Sequence, residues 1–290
     1  MFTMKKLLAA LLLFVIITGG GLPVSAKEEV RATWLWNPWM FVEDEAGTLT
    51  FLESKNVNKV YLQIDREVPR EAYRSFISGA SDIGISIYAL DGAPDWVGPN
   101  GRVYQENMLS WMESYQQNAS AAEQFGGVHL DVEPYLYSGW VKNQKKTITA
   151  FQDLLQEAKE RSASMNLPLE VDLPFWFDEI SYSNKYGKGV LAEWVITRVD
   201  GVTLMAYRDS SEAIIEIVKE EIAFAEKHGK AVVIGVETMA SGEGNHVTFY
   251  EEGEAFMQKE LSSVKHHYGS SPGFGGFAVH HVGSWKTMKQ

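Results

Sequence analysis

The chain has 290 residues, no cysteine and a formal net charge of −12, from 38 acidic against 26 basic side chains. Without cysteine there is neither a disulfide nor thiol chemistry, so stability must come from an apolar core. The acidic balance argues against nucleic acid or an anionic membrane surface as a partner. Nine Trp are present, several beside Pro, Gly or Asp rather than inside apolar stripes, a placement suited to stacking on sugar faces.

In chain order, Lys5 and Lys6 precede an apolar run from Leu7 to Ile17, and Val24-Ser25-Ala26 follows as a small-residue cleavage pattern. Residues 1–26 therefore read as a signal peptide, and the apolar run is shorter than the roughly 20 residues that span a bilayer. The expectation is a secreted protein with no stable membrane anchor after cleavage. Loss of Lys5 and Lys6 with the leader would take the net charge from −12 to −14. The remaining 27–290 is close to the roughly 250 residues of one (β/α)8 barrel, so a single domain is expected.

Eight short β-branched runs then alternate with amphipathic stretches, the pattern of repeated βα units. The runs are 31–36, 57–65, 85–91, 127–133, 167–176, 201–207, 231–237 and 275–281. Helices are predicted near 45–56, 70–82, 106–124, 143–165, 188–197, 211–228 and 249–266. The stretch 143–165 carries Ile148, Phe151, Leu154, Leu155 and Ala158 on one helical face. Eight parallel strands with helical connections close most readily into a (β/α)8 (TIM) barrel. An open doubly wound sheet is the rival fold, but Trp34-Leu35-Trp36-Asn37-Pro38-Trp39 after the first strand is too bulky for a phosphate loop. So little chain follows the last strand that the final helix is expected to be missing.

Parallel barrel strands are buried on both faces, so polar residues at their C-terminal ends need a reason. In the fourth strand Val128, Leu130 and Val132 share one face, and His129, Asp131 and Glu133 the other. Glu133 would stand at the working rim with Asp131 roughly 6.6 Å beneath it, near enough to influence its proton. Holding the barrel together through Arg31, Arg66 or Arg208 is the structural alternative for these carboxyls, although buried ion pairs stabilise weakly. By the same alternation Asp65, Tyr207 and Glu237 should converge on that mouth, with Asp91 and Asp172 beside them.

Gly126-Gly127-Val128-His129-Leu130-Asp131-Val132-Glu133 resembles, in its second half, the fourth-strand motif D-G-x-D-x-D-x-E of family 18 glycoside hydrolases, the chitinase-like enzymes. Leu204-Met205-Ala206-Tyr207-Arg208-Asp209 is similar to that family's sixth-strand M-x-Y motif, and Gly275-Gly276-Phe277-Ala278-Val279-His280 to its eighth-strand segment. The resemblance implies that Glu133 protonates the leaving glycosidic oxygen. It further implies that Asp131 orients a 2-acetamido group of the substrate, whose carbonyl attacks the anomeric carbon, and that Tyr207 hydrogen-bonds this group. Three positions depart from the family: its first Asp is Gly126, its middle Asp is His129, and the Trp that floors the sugar site is His280.

Glu133-Pro134 and Glu237 also resemble the acid/base and nucleophile positions of the large retaining glycosidase clan, whose carboxyls stand roughly 5–5.5 Å apart. That clan usually has Asn before its acid, where this chain has Val132. A lectin-like barrel that binds glycans without cutting is the non-enzymatic alternative, and chitinase-like lectins commonly lose the acidic Glu that is kept here. His129, Asp131, His280 and His281 could suggest a metal, but the His-x-His pair of barrel metallohydrolases is replaced by Trp34-x-Trp36, so neither metal nor cofactor is expected. The expected partner is an oligo- or polysaccharide. Trp34, Trp36, Trp96, Trp176 and Trp285 are its candidate stacking residues, with Asp65, Asp91, Asp172, Arg208 and His280 as polar contacts.

Overall fold

Residues 28–290 are described by a computed structural model, and the leader expected over 1–26 lies outside the described residues. The eight runs form the parallel strands β1 (Val30–Leu35), β2 (Lys59–Gln63), β3 (Ser86–Asp91), β4 (Gly127–Leu130), β5 (Leu169–Pro174), β8 (Gly201–Met205), β9 (Val232–Glu237) and β10 (Phe274–His280). They close into a barrel in the order β1-β10-β9-β8-β5-β4-β3-β2. The fold is a (β/α)8 barrel, and the open sheet is excluded because β1 pairs with both β2 and β10.

Strand parity follows the sequence pattern. Val60, Leu62, Val128, Leu130, Val171, Leu173, Val202, Leu204, Ile234 and Val236 pack outward under the helices. Ala32, Trp34, Tyr61, Tyr88, Leu90, Val233 and Ala278 fill the barrel interior as a second, enclosed cluster. Gly235 makes room for this filling, because a Cβ there would lie 3.2 Å from the Trp34 ring and 2.8 Å from the Leu204 carbonyl oxygen. At the N-terminal end of the lumen, Lys59 pairs with Glu170 at 2.5 Å.

The predicted helices appear at Glu45–Ser54, Arg70–Asp82, Gly101–Gln117, Gln144–Ser164, Leu191–Arg198, Ser211–Ile217 with Lys219–Lys227, and Glu254–Tyr268. The 144–164 helix begins where the Asn143 side chain accepts from the Lys146 N–H, and it buries Ile148, Phe151, Leu154, Leu155 and Ala158. A hairpin of β6 (Ser181–Asn184) and β7 (Gly187–Val190), outside the barrel, interrupts the connection after β5 and has no counterpart in the predicted elements. The missing last helix is corrected to a short one, Val282–Thr287, which buries Val282 and Trp285. Trp285 meets Phe51 edge-on at 5.8 Å and lines an outer groove with Ala32, Val57 and Phe277. It covers the wall between β10 and β1 and is not a stacking residue of the mouth. Among the described residues no helix is long and apolar enough to cross a membrane.

Candidate active site

The β4 ladder ends at Leu130, and the Asp131 N–H donates to the Asp91 carbonyl at 3.1 Å, which carries the strand direction one residue further. Close approach of the neighbouring turn depends on Gly92. Its φ is +150°, and a Cβ there would lie 2.1 Å from the Asp131 carbonyl oxygen. Chain reversal through Pro134 then returns Tyr135 beneath the strand end, where its hydroxyl donates to Glu133 Oε1. Burial, reinforced by the Glu133 carboxylate, pushes the Tyr135 phenol far above its ordinary range, so it remains a donor. Tyr135 in turn meets Trp176 edge-on at 5.1 Å, which places Trp176 beside the acid as a half-buried wall.

Below Glu133 lies a carboxyl pair, Asp131 half-buried and Asp172 buried. Burial pushes Asp131 well above the usual Asp range, and the charges of Asp172 and Glu133 add to the effect. Burial also pushes Asp172 up, opposed by the Trp34 Nε1–H that donates to its Oδ2 at 2.9 Å. Oδ1 of each is buried without a protein partner, leaving two unused acceptor or proton sites under the acid.

His129 stands one layer deeper, fully buried, with its ring stacked on Tyr61 at 3.7 Å between centroids. Burial pushes its imidazole down to about 3, so the ring is neutral. Nε2 lies 2.9 Å from Asp172 Oδ2 but out of line for a hydrogen bond. This side chain fills space between Tyr61 and Asp172 and cannot share a proton as a family carboxyl would. Trp34 is 1% exposed. It forms the floor below the carboxyls rather than a face along the cleft, and Asp172 is likewise too deep for first contact with a glycan.

On the opposite wall Glu237 Oε1 accepts the N–H groups of Thr238 and Met239, each at 2.8 Å. Its Oε2 meets His280 Nδ1 at 2.8 Å. Trp36 Nε1, which can only donate, reaches His280 Nε2 at 2.7 Å. The network therefore assigns the imidazole proton to Nδ1, directed at Glu237. Both Glu237 oxygens are thus held by protein donors, which fixes the indole of Trp36 at the rim. Tyr207 is half-exposed, 5.9 Å from His280 between ring centroids. Burial and the charges of Glu237, Asp172, Asp131 and Glu133 raise its phenol well above the usual range, so its hydroxyl stays available to donate.

Asp65 and Asp91 lie with Trp36, Trp39, Arg66 and Trp96 around a groove of about 580 Å³ at the same rim. Asp65 accepts from Trp39 Nε1 at 3.1 Å. Asp91 is pushed up by burial, opposed by the Gly92 N–H that its Oδ1 accepts at 2.9 Å. Arg208 sits after β8 with its guanidinium 4.9 Å above the Phe175 ring. Trp39 and Tyr135 are absent from the residues singled out in the sequence. Trp39 lies four residues past the end of β1 and Tyr135 five past the end of β4, where strand alternation no longer marks direction. Among the described residues no group of three or more His, Asp or Glu is placed to hold a metal ion.

Neither a protein-family model nor a curated protein matches the sequence. Similar solved structures include a chitinase from Chromobacterium violaceum (TM-score 0.54, 13% identity, 90% of this chain and 97% of that one). They also include the spore cortex-lytic enzyme SleL of Bacillus megaterium (TM-score 0.57, 13% identity, 90% and 73%) and a chitinase from Bacteroides thetaiotaomicron (TM-score 0.57, 9% identity, 88% and 90%). At these identities the likeness is one of fold, and this chain folds as a chitinase-like (β/α)8 barrel.

Proposed function

We propose that the protein is a secreted glycoside hydrolase that cleaves a hexosamine-containing glycan, with Glu133 as its general acid. The observation that carries this reading is the half-exposed Glu133 at the mouth of a chitinase-like barrel, held by Tyr135 above the half-buried Asp131 and the buried Asp172. Glu133 gives its proton to the glycosidic oxygen as the bond to the anomeric carbon breaks. The acetamido carbonyl of the same sugar attacks that carbon, with Asp131 and Tyr207 orienting the group. Water then opens the cyclic intermediate and returns a proton to Glu133. This route is favoured over a Glu237 nucleophile because both Glu237 oxygens are already engaged by Thr238, Met239 and His280.

The test is hydrolysis of chito-oligosaccharides and cell-wall glycan strands by the wild type and by Glu133→Gln. The variant is expected to lose at least about 100-fold in kcat, the lower end of what a positioned general acid supplies, while still binding the glycan. Unchanged hydrolysis would remove Glu133 from the role, and binding without cleavage by the wild type would establish a lectin. For secretion, the protein recovered from culture medium should begin at Lys27; an intact N-terminus would refute the leader.

A further inference from the structure

Arg208, next to Tyr207 at the mouth, has no acidic partner. Among the described residues no carboxylate oxygen lies within 4.0 Å of its guanidinium. The head group is nevertheless fixed. Nη1 donates to the Tyr207 carbonyl at 2.7 Å, and the guanidinium plane rests over Phe175. It is half-buried, which is costly for a cation unless something answers its charge. Of five N–H donors only one is used, so a planar fork remains for a ligand.

Its position ties this fork to the acid. Arg208 directly follows Tyr207, whose phenol feels the charges of Glu133, Asp131, Asp172 and Glu237. Phe175 directly precedes Trp176, the residue against Tyr135. The guanidinium therefore sits beside the two chain segments that carry Tyr207 and Trp176 to the mouth. A neutral N-acetylhexosamine offers it uncharged hydroxyl and amide oxygens, whereas a carboxylate accepts two parallel charge-assisted hydrogen bonds from one Arg. A carboxylated sugar would otherwise be repelled by the acidic mouth, and Arg208 offsets that repulsion locally.

Resting on the glycosidase reading above, we propose that Arg208 receives a carboxylate carried by a sugar next to the scissile bond, and that the substrate is an acidic rather than a neutral hexosamine glycan. Both a ring uronate and a lactyl ether present this group. Three probes separate them: chitohexaose, an alternating glucuronate–N-acetylglucosamine hexasaccharide, and peptidoglycan strands stripped of stem peptides, whose lactyl carboxylates are free.

The wild type should cleave at least one acidic probe with a kcat/KM about tenfold or more above that for chitohexaose, the scale of one charged hydrogen bond. Arg208→Gln should lower that ratio by at least about tenfold, mainly through KM, and Arg208→Lys should recover part of it by restoring charge without the fork. A wild-type preference for chitohexaose, or an equal ratio in Arg208→Gln, would overturn the proposal and leave the glycosidase reading standing. Should no probe be cleaved, the same three are titrated calorimetrically into Glu133→Gln. Preferential binding of an acidic probe supports the proposal, binding of chitohexaose alone overturns it, and no binding at all overturns it together with the glycosidase reading.

Discussion

At the residue scale, the acid is set by a contact two residues long in sequence. Tyr135 reaches back to Glu133 because Pro134 turns the chain at the end of β4, and its phenol stays protonated in that buried position. Its hydroxyl holds one carboxyl oxygen and leaves the other for substrate. Replacing Tyr135 with Phe keeps the ring against Trp176 and removes only the donor. The expected result is a fall in kcat of about tenfold with little change in thermal stability, the scale of one hydrogen bond to a charged group. Steady-state kinetics and a melting curve check it; a stability loss that accounts for the whole activity loss would make Tyr135 a packing residue. Strand parity made His129, Asp131 and Glu133 legible in sequence, since alternation puts them on one face. Roles were less legible. His129 occupies the position of a family carboxyl, but burial beside Tyr61 keeps it neutral, and Asp172 from the next strand supplies the second buried carboxyl instead.

At the scale of elements, the two largest differences from the sequence reading arise where local pattern is weak. The β6–β7 hairpin is built from Ser, Asn, Lys, Gly and Tyr with one aliphatic residue, Val190, and lacks apolar alternation, so nothing in its period marks a strand. The closing helix is six residues long, too short for a helical repeat to register, and it is anchored by the buried Val282 and Trp285. Trp285→Ala should cost about 3–5 kcal/mol, as expected for emptying a buried indole. Urea unfolding measures this, and a loss under about 1 kcal/mol would mean that the wall between β10 and β1 is sealed without it.

Helix Lys219–Lys227 carries a second testable feature. Glu221 is fully buried with neither carboxyl oxygen bonded, and burial pushes it up to about 8 from its ordinary 4.5. Because the folded state holds this proton more tightly than the unfolded chain, the stability linked to it is complete below pH 4.5, declines between pH 4.5 and 8, and is lost above 8. Glu221→Gln should flatten the fall of Tm across that window and raise Tm at pH 8. Parallel melting curves for the two proteins would contradict the buried, protonated carboxyl.

At the scale of the whole molecule, eight βα units bring residues more than a hundred positions apart to one rim, and this convergence was readable from strand ends alone. Depth was not. Trp34 and Asp172 share the inward face with the rim residues but lie a layer below it, and only closure of the barrel reveals how the layers stack. The central claim is that Glu133 donates the proton to the leaving oxygen, and the most direct test varies how much that proton matters. Wild type and Glu133→Gln are compared on a chito-oligosaccharide and on its 2,4-dinitrophenyl glycoside, whose leaving group departs without protonation. The account predicts a loss of at least about 100-fold on the oligosaccharide and a far smaller loss on the activated glycoside. Equal losses on both substrates would contradict it.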